Sequence, residues 1–553
     1  MKTFVRILAI VSLVLATHGT ALAQTTRSWN VSSGLWSASG SWDTGVPTSG
    51  DIVVINNGGT ATLDASPSLS FPSLTIGSSS VLQKDNSTAA RTITLDSSTG
   101  LVTNAGTIRY GQGSTGRFTI TSGNSGWNNS GLITADVAGA ELRLTMSNVN
   151  GTDLVNSGTL RASGGTLGFA SSSFFDLVNT DGVVSAINNG TVLFSAGGRV
   201  TGGSVSVEAG STLRHSRTNE RTDLTDVTIT NAGRMFTEQT ANNQSMAINF
   251  LGTSTLTNSG TLEYLTSGTL GSTASGSANS TATITNQATG IIRVANNNTA
   301  GTATAFFSNS TANFTNQGGI EIKSNGVLTT GSSQFRSTAV NFSNAGSFLV
   351  DGPVSSIEMA TRTFTQSAGS LSLVNGGSMT AGSVLINSGT LLGTGTITAP
   401  TTIGGILSPG SGGIGTLSVT NSVTWNAGNA WLFELGTAAD TLIQAETGST
   451  ADLLLLTGAF VQGTGSTFTF DFANSGTDGW YKLVDYASTT FATGANTSFA
   501  ATNLPAGKSA NFVVDSTTTA LYVQVVPEPS TLALAGLGIG LAGYVVSRRR
   551  RRG

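Results

Sequence analysis

The chain has 553 residues, of which 71 are Gly, 9 are Pro and none is Cys; 10% are charged and 38% are hydrophobic. Without Cys, it can form neither a disulfide framework nor a thiolate metal site. The two ends hold 7 basic residues and 1 acidic residue, so segment 24–526 keeps 18 basic and 27 acidic residues, a net charge of −9. A mildly acidic body argues against a nucleic-acid partner, because such binding depends on clustered Lys and Arg.

Residues 1–23 have the pattern of a secretory signal peptide. A basic start precedes an apolar run, and Ala21 and Ala23 form a small-x-small cleavage pattern before Gln24. A buried N-terminal helix is the structural alternative. The pattern favours an exported protein whose mature chain begins at Gln24.

Segment 24–95 contains Trp29, Trp36 and Trp42 on a background rich in Gly and Ser. This clustering favours an N-terminal Trp-rich β cap, because a stack of strands needs a covered end. In the alternative, the three indole rings form a platform on which sugar rings stack.

Between the two ends a phrase recurs, apolar-x-Asn-x-Gly-x-apolar-x-apolar. The clearest copies centre on Asn104, Asn156, Asn258, Asn316 and Asn344, and weaker copies on Asn129, Asn179, Asn231, Asn286, Gln366 and Asn387. Successive centres lie 25, 27, 23, 52, 27, 28, 30, 28, 22 and 21 residues apart. We interpret the interval of 52 as two units of 26, with a degenerate copy near the sequence VTGGSVSVEAGSTL.

A period in the twenties that contains only strand patterns predicts an all-β fold, a right-handed parallel β-helix (β-solenoid) with three short strands per coil. In phrases such as Leu262-Glu263-Tyr264, the apolar residues face inward and the middle residue faces water. Residues 96–400 leave room for roughly twelve coils at the spacing of stacked strands.

The Asn and Gly of each phrase mark a corner between two strands. Asn tolerates a left-handed φ, and Gly adopts a positive φ without steric cost. Because equivalent residues of successive coils stack about 4.8 Å apart, the Asn side chains can hydrogen-bond to one another as a ladder. We therefore assign these Asn residues a structural role and not a ligand site.

Residues 401–526 form a further β-rich region. A Gly-rich segment that leads into this region, from 387 to 436, resembles the last coils of autotransporter-type passenger domains and the related beta-strand repeat surface proteins. Residues 450–526 have longer strand patterns. These fit either an antiparallel, β-sandwich-like cap or a continuation of the solenoid.

Charged residues are densest over residues 214–226, which include Glu220, Asp223 and the single His of the mature chain, His215. Parallel β-helix enzymes that act on polysaccharides need converging carboxylates, so a catalytic site here is one hypothesis. The other, which we favour, is a solvated loop with self-compensating charges. We predict no catalytic residue, no cofactor and no metal site, and keep Glu220 and Asp223, like the three Trp, as candidates for glycan contact.

The last segment, residues 527–553, combines a Pro-Glu-Pro triplet, an apolar stretch over 531–546 and a basic end. The triplet and the basic end consist of Pro527, Glu528, Pro529, Arg548, Arg549, Arg550, Arg551 and Arg552. The apolar stretch just reaches the length that a transmembrane helix requires. The arginines place their end in the cytoplasm and the body outside, and the prolines keep the Glu528 segment extended.

This order of features resembles the PEP-CTERM family of sorting tails over about the last 27 residues. The resemblance implies recognition by an exosortase, with cleavage near the triplet, in a Gram-negative bacterium that makes exopolysaccharide. It also implies that the C-terminal helix holds the protein in the membrane before processing. A permanent single-pass anchor is the alternative.

The sequence therefore predicts an exported structural or adhesive protein of the cell surface or extracellular matrix. We expect it to be sorted by an exosortase and associated with exopolysaccharide or biofilm, and we do not expect an enzyme. The alternative is a polysaccharide-active β-helix enzyme, a lyase or hydrolase, or a carbohydrate-binding surface protein.

Overall fold

The computed structural model describes residues 24–528 except 68–69, 112, 114, 147–152, 172–173, 217–219, 240–244, 267–272, 279–280, 297–301, 308–312, 325–331, 338–340, 360 and 474. The chain divides between Val178 and Asn179 into two compact units, named here the N-unit and the C-unit. The predicted signal peptide, residues 1–23, and the predicted transmembrane helix over residues 531–546 lie outside the described residues.

The N-unit is a parallel β-solenoid whose strands belong to three sheets. Sheet N1 contains Thr26–Ser28, Ile52–Ile55, Ser73–Ile76, Leu101–Asn104, Trp127–Asn129, Leu154–Asn156 and Phe175–Val178. Sheet N2 contains Ser33–Leu35, Thr60–Leu63, Val81–Lys84, Thr107–Arg109, Leu132–Ala135 and Thr159–Ser163. Sheet N3 contains Ser70–Phe71, Arg91–Leu95, Phe118–Thr121, Glu141–Met146 and Thr166–Ser171.

The C-unit is also a parallel β-solenoid with three sheets. Sheet C1 contains Val183–Ile187, Ser204–Val207, Thr228–Asn231, Thr255–Asn258, Thr283–Asn286, Asn313–Asn316, Phe342–Asn344, Thr363–Gln366, Ser383–Ile386, Thr401–Ile403, Val423–Trp425, Ala459–Gln462 and Ser488–Thr489. Sheet C2 contains Thr191–Phe194, Thr212–His215, Arg234–Gln239, Thr261–Thr266, Ile291–Asn296, Gly319–Ser324, Ser347–Asp351, Ser370–Val374, Thr390–Gly393 and Ile406–Pro409. Sheet C3 contains Gly198–Thr201, Glu220–Thr225, Ser245–Leu251, Thr273–Ala278, Thr302–Phe307, Ser332–Ser337, Ser355–Glu358, Ser378–Thr380, Thr396–Thr398, Thr416–Val419, Leu453–Leu456 and Gly479–Asp485.

Sheet C3 changes from parallel to antiparallel pairing at its last solenoid strand. Gly479–Asp485 is parallel to Leu453–Leu456 and antiparallel to Ala520–Pro527. The remaining elements are the antiparallel strands Lys508–Asp515 and Gly494–Ala495, a small parallel sheet of Trp431–Leu432, Phe468–Asp471 and Phe499–Thr502, the 3₁₀ helix Ser39–Ser41 and the α-helix Leu442–Gly448. The solenoid thus continues beyond residue 450 and ends in an antiparallel sheet, so both predicted alternatives hold in part.

The predicted parallel solenoid is confirmed, with about 16 turns in the two units together. The sequence repeat alone indicates roughly twelve coils at the spacing of stacked strands. The number is higher because parallel pairing already begins at Thr26–Ser28 and continues to Ser488–Thr489.

The separate N-terminal cap predicted over residues 24–95 is not confirmed. Thr26–Ser28 and Ser33–Leu35 pair in parallel with the strands of the next coil. The Trp-rich segment is therefore the first described coil of the N-unit, and it also contains an antiparallel bridge between Trp29 and Trp42.

The strands alternate between buried and partly exposed residues, as the period-two pattern predicts. In Glu141–Met146, for example, Leu142, Leu144 and Met146 are buried, while the residues between them are partly exposed. Burial of one apolar side chain stabilises the fold by about 1.5–3 kcal/mol. Because the same inward positions recur in each coil, the interior is filled by stacked rows of aliphatic and aromatic side chains.

Asn side chains form a hydrogen-bonded ladder in each unit. In the N-unit, Asn104 Nδ2 donates to Asn129 Oδ1 at 2.6 Å, and Asn129 Nδ2 donates to Asn156 Oδ1 at 2.7 Å. The C-unit ladder runs through Asn231, Asn258, Asn286, Asn316, Asn344 and Gln366, with donor–acceptor distances of 2.5–2.9 Å. These side chains are almost fully buried. Burial of an amide without hydrogen bonds costs free energy, and the ladder supplies those hydrogen bonds.

The ladder has one direction. Each Nδ2 also donates to a backbone carbonyl, for example from Asn258 to Gly260 and from Asn344 to Gly346. Only an N–H group can make these bonds, so each side-chain oxygen after the first in a ladder accepts from the preceding coil. The first oxygens of the two ladders, in Asn104 and Asn231, have no hydrogen-bond partner in the described structure.

Close backbone stacking, and not a positive φ, explains the Gly at the corners of the Asn ladders. The glycines with positive φ do not include Gly131, Gly260 or Gly346. A Cβ atom at these three positions would lie 2.0–2.2 Å from a backbone oxygen of the preceding coil. Likewise, the ladder Asn residues end strands and are not left-handed, so the reasons predicted from φ were wrong for the ladder corners. At the weaker copy centred on Asn387, Gly389 does have the predicted positive φ, 76°.

The interval of 52 residues between Asn179 and Asn231 is not two units of 26. Asn179 precedes the first strand of sheet C1, Val183–Ile187, whereas Asn231 ends a later strand of the same sheet, Thr228–Asn231. The interval therefore spans two coils and one additional strand. The Asn position moves from the corner before sheet C1 to the corner after it. Gly202, which belongs to the predicted degenerate copy, lies at the first of these corners, and its carbonyl accepts a hydrogen bond from Asn179 Nδ2.

We predict that Asn286→Ala lowers the free energy of unfolding by about 2–3 kcal/mol, because it leaves the buried Asn316 Oδ1 without a donor. Gln366→Ala is the matched control: it removes the last rung of the ladder and leaves no buried side-chain oxygen of the ladder unpaired, and the carbonyl of Ala368 that loses a donor belongs to an exposed residue, so we expect a loss of about 1 kcal/mol. Urea unfolding of the purified protein, followed by circular dichroism, measures both. Equal losses would contradict a directional ladder.

Candidate functional site

The two carboxylates of the charged segment 214–226 that the structure describes, those of Asp223 and Asp226, accept hydrogen bonds. Asp223 lies in strand Glu220–Thr225 and is 5% exposed; it accepts from Arg221 Nε at 2.9 Å and from Asn249 Nδ2 at 2.8 Å. The side chain of Glu220 lies outside the described residues. The structure therefore gives no geometry that brings the two predicted glycan-contact carboxylates together.

His215 and Asp226, in the same segment, also have structural partners. His215 is fully buried, and its Nδ1 lies 2.9 Å from Thr222 Oγ1. Asp226 accepts from the backbone N–H and the hydroxyl of Thr253, both at 2.8 Å. The backbone hydrogen bond from Thr253 is the main reason why the pKa of Asp226 lies below its ordinary value.

A row of alternating charges crosses the outer face of sheet C2. Glu263 is 4% exposed and lies between Arg234, whose Nε contacts it, and Arg293, whose Nη1 donates to it at 2.6 Å. Arg293 Nε also donates to Glu321 at 2.8 Å, and Lys323 Nζ lies 3.1 Å from Glu321. The period-two pattern predicts that Glu263 faces water. It is buried because arginines of the two adjacent coils cover it, and the pattern within one strand does not show them.

Hydrogen bonds within this row control the ionisation of Glu321. Burial acts to raise the pKa of Glu321, but hydrogen bonds from Arg293 and Lys323 outweigh it and hold the pKa below its usual value. The guanidinium of Arg234 also lies 3.9 Å from the ring centroid of Phe236, a favourable cation–π distance. The charges of this face therefore stabilise one another across coils.

Charged groups in the N-unit are paired in the same way. Glu141 lies between Arg117 and Arg143, at 2.8 and 2.6 Å, and Arg109 lies 3.0 Å from Asp136. Within the part of the chain that the structure describes, no group of three or more His, Asp or Glu residues is arranged to hold a metal ion.

The three N-terminal Trp residues fill the interior of the first described coil. Trp29, Trp36 and Trp42 are 1–3% exposed. The ring of Trp42 meets those of Trp29 and Trp36 edge to face, with centroids 5.0 and 4.9 Å apart, and its Nε1 donates to the carbonyl of Trp36 at 2.8 Å. No ring face of the three is open to solvent, as a sugar-stacking platform would require.

Asp452 is a buried carboxylate that joins separate segments of the C-unit. It is 1% exposed and accepts from the backbone N–H groups of Gly415 and Glu434, both at 2.8 Å. Burial raises the pKa of Asp452 to about 7, although the two hydrogen bonds act in the opposite direction. This carboxyl therefore changes its ionisation near neutral pH.

The sorting triplet begins at the end of the last strand. Ala520–Pro527 lies between Gly479–Asp485 and Lys508–Asp515, and Pro527 is its final residue. Proline is compatible with this position because a strand end needs no further ladder donor. The N–H of Glu528 donates to the carbonyl of Gly507 at 2.8 Å.

Pro527 and Glu528 are both exposed. Glu528 lines an open pocket of about 390 Å³ formed with residues 501–510. Pro529 and the arginines from Arg548 to Arg552 lie outside the described residues, as do Ala21 and Ala23 of the signal peptide.

The fold and its C-terminal exit define a β-solenoid protein whose last strand leads directly into a sorting segment. The chain carries the PEP-CTERM protein-sorting motif, which matches residues 525–552. The motif implies an extracellular protein that is exported, processed by an exosortase and sorted to the cell envelope. A search of curated proteins finds no similar sequence. Among the described residues, no helix has the length and apolar character required to cross a membrane.

We predict that the C-unit loses stability as the pH rises from 5 to 8. The folded state holds the proton of Asp452 up to a pKa of about 7, whereas the unfolded chain releases it near pH 4. The stabilisation is therefore present at low pH and is lost as the pH rises through 7, by roughly 2–3 kcal/mol.

The measurement is urea unfolding of the protein and of Asp452→Asn at pH 5, 6, 7 and 8. The substitution should flatten the pH dependence, and the exposed Asp440→Asn is the matched control that should leave it unchanged. A pH dependence that is equally steep in Asp452→Asn would contradict the assignment.

Proposed function

We propose that the mature protein is a non-catalytic structural component of the cell surface or the extracellular matrix, associated with exopolysaccharide. One observation carries the proposal: the PEP-CTERM motif at residues 525–552 begins within the last strand of the β-solenoid protein, Ala520–Pro527. The body thus reaches the cell exterior as a long series of similar coils, which suits a matrix or adhesive role.

The outer surface of the solenoid supports a passive role. Charges on sheet C2 are paired across coils, as in the contacts of Glu263 with Arg234 and Arg293. None of the strands of sheet C1 contains a charged residue, and their outer positions are mostly Thr and Ser. A neutral, hydroxyl-rich surface suits contact with a hydrated, uncharged matrix polymer and offers little to an ionic ligand.

The tail sequence supports transient membrane attachment. The apolar stretch over 531–546 has a length near that of a bilayer span, and the arginines from Arg548 to Arg552 favour the cytoplasmic side. We propose that this helix holds the protein in the membrane until an exosortase acts near Pro527-Glu528-Pro529. Adhesion to the matrix or participation in a biofilm then follows release.

We predict that an exosortase-positive strain converts the protein to a form that lacks the C-terminal apolar stretch, whereas an exosortase-deficient strain does not. Replacing Glu528 by Ala within the triplet should reduce conversion at least tenfold. Pro505→Ala, in the pocket beside Glu528 but outside the motif, is the matched control and should be processed normally. Mass spectrometry of the C-terminus measures all four samples, and an intact tail in both strains would rule out sorting by an exosortase.

A polysaccharide-active enzyme remains the second class of function, and it would use the segment 214–226. The carboxylate of Asp223 is occupied by Arg221 and Asn249, which leaves little capacity for general acid–base work. We therefore expect that no glycan in a panel of neutral and acidic polysaccharides is shortened over time. Shortening that is abolished in Glu220→Gln and Asp223→Asn would establish the enzyme, with Arg221→Ala as a control for local unfolding.

A further inference from the structure

We propose that the exosortase cut falls on the C-terminal side of Glu528, so that the mature protein retains the whole last strand together with Pro527 and Glu528. The inference rests on the proposed function, because it takes processing by an exosortase as given. It adds the position of the cut, which is set by the folded body and not by the motif alone.

The last strand is paired on both sides over most of its length. Residues 520–525 pair with Gly479–Asp485 on one side and with Lys508–Asp515 on the other, so that Tyr522 lies opposite both Lys482 and Val513. Val526 and Pro527 pair with Lys508–Asp515 alone. Cleavage of a peptide bond requires the attacking group and the oxyanion donors to reach its carbonyl at hydrogen-bond distance. Neither can reach carbonyl groups that lie between two paired strands.

Opening the strand would expose a buried row of side chains. Leu521, Tyr522, Val523 and Val525 are each fully buried. The hydroxyl of Tyr522 also contacts the Glu446 carboxylate, and it lies 3.0 Å from Thr518 Oγ1. Local opening of such a segment is rare, since it loses the burial of every one of these groups at once.

Glu528 is the last residue that the structure describes, and its backbone is still held by the C-terminal sheet region. Its N–H is bound to the carbonyl of Gly507, while the residue itself is exposed and faces the open pocket formed with residues 501–510. An enzyme can therefore reach the Glu528 carboxylate from solvent. The peptide bond that follows this hydrogen-bonded residue joins Glu528 to Pro529.

The chemical step is a transfer of the acyl group on one peptide bond. The carbonyl carbon of Glu528, or of a residue after it, forms a bond to the oxygen of water or of an acceptor hydroxyl. The C–N bond of that peptide breaks, and the leaving nitrogen takes the proton that the water or hydroxyl loses. The solenoid body with Pro527-Glu528 stays on the acyl side, and the apolar stretch 531–546 leaves on the amine side.

The test is the intact mass of the mature full-length protein, purified from an exosortase-positive strain and from an exosortase-deficient strain. We expect a mature C-terminus at Glu528 or later. A C-terminus within residues 520–527 would overturn this inference and leave the sorting function intact. An uncleaved chain in both strains would overturn the proposed function and the inference with it.

Limited digestion of the unprocessed full-length chain with proteinase K provides a second measurement that is independent of the exosortase. The fold predicts that the resistant fragment extends to Glu528 or beyond. Tyr522→Ala removes the contact with Glu446 and loosens the strand, so it should allow cuts within 520–527, whereas the exposed Thr517→Ala should not. Rapid cleavage within 520–527 of the unmodified chain would contradict the proposal.

Discussion

Parallel strands stacked at about 4.8 Å determine what each corner of this protein can contain. A side chain at a corner meets the equivalent side chain of the next coil. Asn is suited to that position because its amide both donates and accepts a hydrogen bond, so each oxygen of the ladder after Asn231, through to Gln366, has a donor in the preceding coil. Gly is needed two places later, as at Gly260, because the backbone of the preceding coil leaves no space for a Cβ atom.

The same stacking rule governs the outer faces, where it acts on charge. Equal charges in adjacent coils would repel at this spacing, and the C-unit avoids that by alternation: Glu263 and Glu321 each lie beside Arg293. Opposite charges then neutralise one another locally, and little field remains to attract an ionic partner. The proposed structural role depends on this locally neutral surface, which results from the stacking of the repeats.

The sequence was sufficient to predict the features that recur in the sequence of each coil. The period, the alternation in phrases such as Leu262-Glu263-Tyr264 and the Asn at the corner predicted the parallel solenoid and its amide ladder. Other features were missed. The spacing of the Asn residues does not reveal how many strands lie between them, so it could not predict the change of corner between Asn179 and Asn231. The burial of Glu263 and Trp36 likewise depends on side chains that lie in other coils or pack across the interior.

A parallel solenoid ends in an open sheet edge, which is a site of unwanted pairing. Here sheet C3 turns antiparallel at Gly479–Asp485 and finishes on the two-residue strand Gly494–Ala495, so the final edge is very short. The sorting tail leaves from Ala520–Pro527, which is an inner strand of this sheet and not its edge. A force applied through the tail is therefore opposed by hydrogen bonds to two neighbouring strands at once. Closing the solenoid and securing the tail are functions of the same sheet.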